Sequence, residues 1–214
     1  MTALARATVL DLRTIAPYRR QVLLTPLLIM AMLYSKPEAV VPALVLLSAS
    51  STAGYPFMLS DRSDLDTLYA VLPITRRSLL LGRYMWALAT FVITAGVGTA
   101  VSVVLAKEDN VSYDGRAIVG LLVLSWAVFA LNISIQFPLF VRFGYTYAGM
   151  LGTTLPIALV AVIVAHTHLN LKPNAGWLIL LVAAGVAVLG ASIATAMALD
   201  PRRDRRAPAP APAA

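Results

Sequence analysis

Three groups of residues in this chain have side chains and spacings that could do chemistry. Asp61, Asp64 and Asp66 crowd carboxylates into one short segment, the kind of cluster that holds magnesium around a pyrophosphate. Such a site needs a second acidic cluster on the same side of the membrane, and only Asp11, Asp200 and Asp204 remain there. Helix capping and solvation account for the three aspartates with fewer assumptions. His166 and His168 flank a threonine, but as a metal pair they lack a third ligand unless Asp109 or Asp114 approaches. No other histidine exists, and nothing frames a nucleophilic serine near this pair. Asn132, Ser134 and Gln136 fall within an apolar run, where polar groups either mark a pathway or bond neighbouring helices. The absence of cysteine excludes disulfides and thiolate metal sites. No Gly-rich phosphate loop ending in Lys-Ser/Thr is present, so any ATP used must be bound by another chain.

The elements that would position these groups are set by a bilayer. Of the 214 residues, 59% are hydrophobic and 13% charged. A soluble domain has about 45–50% and about 25%. The reading is an all-α integral membrane fold with six spans, at about 18–34, 39–58, 79–106, 117–137, 148–165 and 177–199. An amphipathic helix over Thr2–Tyr18 is expected to lie on the membrane surface. Arg6, Asp11 and Arg13 interrupt any core for a cleavable signal peptide. Residues 1–200 make the transmembrane domain, and 201–214, an Arg-rich and Ala-Pro tail, reads as disordered. Gly96 and Gly98 belong to overlapping small-xxx-small pairs that suit close helix packing or a path lining, and Pro156 breaks the fifth span. Between the interfaces no span carries an acid or a base, which argues against a proton- or sodium-coupled carrier.

Six spans put both termini on one side. With the termini inside, thirteen cationic residues are cytoplasmic, against Lys36, Lys107, Arg116 and Lys172 outside. The positive-inside rule therefore places both termini in the cytoplasm. The net charge of +7 is explained by these loops and not by nucleic acid.

One polar stretch has no role in spanning. Ser60 to Trp86 carries Asp61, Arg62, Asp64, Asp66, Arg76, Arg77 and Arg83, and by the same rule it is cytoplasmic. Ser60 is expected to cap a short helix, with Asp61 and Asp64 in its first turn and Leu65, Leu68, Tyr69 and Leu72 as its apolar stripe. Pro73 stops that helix, and Thr75 is placed to cap the next. Arg76 and Arg77 then open a helix at its positive end, against the dipole, which points to a cause outside the helix: topology, lipid headgroups or an acidic partner.

These residues resemble the permease subunits of type-2 ATP-binding-cassette transporters. The resemblance rests on Phe57-Met-Leu-Ser-Asp61, Leu68 to Leu72, Pro73-Ile-Thr-Arg76-Arg77 and Arg83-Tyr84. It is close over about 30 residues, and the span layout agrees with it over nearly the whole chain. The chain departs from it at Ser60-Asp61-Arg62, where the family often has Asp-Glu. The resemblance implies a coupling helix between spans two and three that docks on a separate ATPase subunit. The contact residues it implies are Asp61, Asp64, Leu65, Leu68, Tyr69, Leu72, Pro73, Arg76 and Arg77. It implies a homo- or heterodimer of permease chains around an export path in the plasma membrane, with lipid around it. ATP and magnesium would sit in the partner, and this chain would hold no cofactor and catalyse nothing. Two further readings stay open: a non-transporting membrane scaffold or immunity protein, and a magnesium-dependent lipid-phosphate enzyme built on the aspartates.

Overall fold

The computed structural model describes residues 41–62, 75–108, 115–149, 158 and 175–199. The described residues are helical and contain no strand. A π-helical stretch, Leu44–Ala49, runs directly into α1, Ser50–Arg62. Next come α2, Arg76–Glu108, α3, Gly115–Phe143, and α4, Ala175–Ala198. After Gly144 a further helical run occupies 145–149. Among the described residues three helices are long and apolar enough to cross a membrane: Arg77–Glu108, Gly115–Phe143 and Ala175–Ala198. The segments read as the surface-lying N-terminal helix, the first span and the tail, most of the fifth span and residues 63–74 of the coupling stretch fall outside the described residues.

Side-chain contacts set the helix directions. Trp86 on α2 meets Thr52, and Gly98 further along α2 meets Leu44 and Val41, so α1 and α2 are antiparallel. Trp126 meets Val182 and Ser134 meets Ser192, so α3 and α4 run the same way. Arg62, Thr75, Phe143 and Ala198 therefore share one end of the bundle.

The core at that end is aromatic. Phe57 lies 4.9 Å from Phe137 and 5.4 Å from Phe140, and Tyr84 lies 4.7 Å from Phe137. Higher up, Phe91 packs 5.2 Å from Trp126 and 5.0 Å from Phe129. Edge and tilted geometries of this kind are the favourable ones for ring quadrupoles. The small-xxx-small pairs of α2 divide between its faces. Gly98 and Ser102 are buried, and a Cβ on Gly98 would stand 3.3 Å from Leu44 Cδ1. Gly96 and Ala100 point outward, and a Cβ on Gly96 would meet nothing within 4 Å among the described residues.

The helices overrun the apolar runs read for them. Ser60 lies inside the last turn of α1 and begins no helix, which corrects the N-cap assigned to it. The fourth span, read as ending at 137, belongs to a helix that runs on through Pro138 to Phe143. Pro56 and Pro138 both sit within helices. Proline removes an N–H, which would bond the carbonyl four residues earlier. Inside a membrane that carbonyl must find another donor, and here each one does.

Candidate functional site

The stretch singled out by the sequence is described at its two flanks. Asp61 and Arg62 end α1, Thr75 precedes α2, and Asp64, Leu65, Leu68, Tyr69, Leu72 and Pro73 lie outside the described residues. Thr75 caps α2: its Oγ1 accepts from Ser78 N at 3.3 Å, and Leu79 N donates to its carbonyl at 3.1 Å. Ser78 Oγ donates back to Thr75 O at 2.7 Å. A hydroxyl at the cap answering one three residues on satisfies orphan groups in the first turn. Arg77 follows, exposed, in that first turn, and Arg76 opens the helix.

Asp61 has an intramolecular partner. Its Oδ2 accepts from Thr146 N at 3.0 Å and lies 3.5 Å from Thr146 Oγ1. Gly144 links α3 to the 145–149 run, with φ +78°, and its N–H bonds Phe140 O at 3.0 Å. Its own carbonyl accepts from Ala148 N at 3.2 Å, which makes it the cap position of the next helix. A glycine has no side chain to cap with, and Asp61 supplies the missing acceptor from another helix. A Cβ at Gly144 would stand 3.1 Å from Asp61 Oδ2, so the joint needs glycine for both its backbone angle and its space. The carboxylate ends one helix and neutralises the positive end of another.

The opening turns of α2 reach three other helices. Arg83 is buried, with its guanidinium carbon 4.3 Å from the Phe57 ring centroid. A buried cation over an aromatic face gains about 0.5–2 kcal/mol. Tyr84 Oη and Ser192 Oγ are 2.7 Å apart, and Ser192 Oγ donates to Ser134 O at 3.1 Å. Ser192 has one proton and it goes to the carbonyl, so Tyr84 is the donor in the first bond. Ser134 O is the carbonyl orphaned by Pro138. Trp86 Nε1 donates to Thr52 O at 3.2 Å, and Thr52 O is the carbonyl whose usual helical donor Pro56 lacks. Interhelical side-chain bonds in membrane proteins average about 0.6 kcal/mol.

The polar trio of α3 faces inward. Asn132 and Gln136 are buried within this chain, with Gln136 Nε2 donating to Asn132 Oδ1 at 3.1 Å. Asn132 Nδ2 and Ser134 Oγ are buried without a hydrogen-bond partner among the described residues. Pro156 and both histidines fall outside the described residues. Among the described residues no three His, Cys, Asp or Glu side chains cluster as metal ligands.

The bonds from Tyr84, Trp86, Ser192 and Asp61 were not anticipated from sequence. One signal did exist: each helical proline requires a donor for the carbonyl four residues before it. A family model described as ABC-2 family transporter protein matches residues 9–199. No curated protein and no solved structure matches the chain.

Proposed function

Because the chain belongs to the ABC-2 transporter family, a family of multi-pass membrane proteins that work in general with ATP-binding-cassette ATPases, we propose that it is the permease subunit of an ATP-driven exporter. The match over residues 9–199 carries this reading. In it, six helices span the plasma membrane with both termini cytoplasmic. The parallel course of α3 and α4 supports that count, because the chain between them has to cross back. Residues 61–77 form the cytoplasmic elbow that docks on the ATPase subunit, with Leu65, Leu68, Tyr69 and Leu72 as the apolar anchor. ATP-driven closure of two ATPase subunits pushes two such elbows, and two permease chains enclose the path. Small and weakly polar side chains along that path suit an amphipathic or lipid-like cargo.

The described flanks fit a force-bearing role. Asp61 ties the start of the elbow to Thr146, and the Thr75 cap stiffens its exit into α2. The test is co-purification of the ATPase subunit with tagged permease. Leu68→Asp and Tyr69→Asp are expected to abolish it while leaving the permease in the membrane. Undiminished association of both variants would remove the elbow as the docking element. A phenotype that survives inactivation of ATP hydrolysis in the partner would favour the scaffold reading.

A further inference from the structure

We propose that Pro56 and Pro138 are paired hinges, and that the opening turns of α2 are the latch holding both in the conformation described. The two breaks are alike in construction. Pro56 leaves Thr52 O without its helical donor, and Trp86 Nε1 supplies one at 3.2 Å. Pro138 leaves Ser134 O without its donor, and Ser192 Oγ supplies one at 3.1 Å while bonded to Tyr84 at 2.7 Å. Tyr84 and Trp86 are two residues apart, so they leave α2 on nearly opposite sides. Arg83 stacks on Phe57, the neighbour of Pro56. One helical turn thus contacts both breaks, α1 on one side and the α3–α4 pair on the other.

A bond within a helix backbone holds without help from its neighbours, whereas a bond donated by another helix lasts only while the two stay in register. A shift of α2 by the length of one hydrogen bond therefore withdraws the indole donor from Thr52 O and, by taking Tyr84 from Ser192, unfastens the hydroxyl that serves Ser134 O, so that both helices are freer to bend at their prolines. Tyr84, Trp86 and Ser192 act as positioning residues: they touch no cargo and set the angle of the helices that would. The motor for the shift rests on the coupling reading above, since α2 follows the elbow directly. The latch itself does not depend on that reading.

Two measurements on the purified full-length permease, alone and with its ATPase subunit, test this. The first is a pair of double-mutant cycles in thermal unfolding. Ser192→Ala lowers the unfolding midpoint in the native background and lowers it less with Pro138→Ala, because alanine restores the backbone donor to Ser134 O and only the bond from Tyr84 is then lost. Trp86→Phe behaves likewise with and without Pro56→Ala. Additive losses in both cycles would overturn the latch. The second uses spin labels at F143C and A198C, clean sites in a chain without cysteine. Ser192→Ala, or the milder Tyr84→Phe, shifts the label separation in the nucleotide-free protein, and Pro138→Ala suppresses any shift on adding ATP to the complex. Separations identical to wild type in all three variants would overturn the hinge. If the ATPase subunit fails to associate but the cycles couple and the free permease shows the shift, the coupling reading falls and the latch stands.

Discussion

At the scale of single residues, the side chains that matter most at the Asp61 end complete somebody else's backbone. Asp61 is the clearest case, because its carboxylate serves a helix that begins 84 residues after it in the chain, with Thr146 at a sequence separation of 85. Replacing a cap costs about 0.5–2 kcal/mol. Asp61→Ala is expected to cost about 1 kcal/mol in denaturant unfolding and to speed hydrogen exchange at the Thr146 amide, while Asp61→Asn retains most of the protection. Gly144→Ala should cost more than either, since it adds an unfavourable φ to a clash with the same carboxylate. Gly185 sets a similar limit within the α3–α4 contact. A Cβ there would fall 2.5 Å from Trp126 Nε1, so Gly185→Ala must displace the indole and break its bond to Val182 O. A blue or red shift in Trp126 emission, read with the other two tryptophans changed to phenylalanine, would report that displacement.

At the scale of elements, the apolar runs were legible and their ends were not. Hydropathy points to an all-helical membrane fold, and among the described residues three helices are long and apolar enough to cross a bilayer, because about 20 consecutive apolar residues have few other uses. The Thr75 cap was also legible, as a hydroxyl immediately before a helical run. Proline usually ends a helix in water, yet α3 runs on through Pro138. Here Ser192 replaces the lost donor, and a residue 54 positions further along the chain is invisible to any local rule. Ser60 misled: a capping residue type followed by aspartates looks like a beginning, yet α1 continues through it to Arg62. The two glycines of α2 were indistinguishable by motif and differ in consequence. Gly98→Leu is expected to cost about 1–3 kcal/mol by overpacking against Leu44 and Val41. Gly96→Ala, on an open face, should be neutral or slightly stabilising because alanine is the better helix former. Thermal melts of the two variants in detergent check the contrast, and equal losses would contradict the described packing.

At the scale of the whole molecule, the outward faces are as apolar as the core. Val92, Ile93, Val97 and Val104 on α2, and Ile179, Leu180 and Val186 on α4, are all exposed. No aqueous solvent accommodates such faces on two long helices, and a bilayer or another membrane chain does. The proposed orientation can be read directly, again because no native cysteine competes. A cysteine introduced at Lys172 should react with an impermeant maleimide in intact cells, and one at Ala209 should react only after permeabilisation. The reverse pattern would invert the topology and place the elbow where no ATPase can reach it.

The π-helical stretch at Leu44–Ala49 has an evolutionary corollary. A wider turn of this kind accommodates one surplus residue while leaving the helix beyond it in phase. Shortening the stretch by a single amino acid should therefore return it to ordinary winding without rotating Phe57 away from its neighbours. The same deletion in the middle of α2 would turn every later side chain by about 100°. Relatives of this chain are expected to show a one-residue gap here more readily than anywhere else in their membrane-embedded helices.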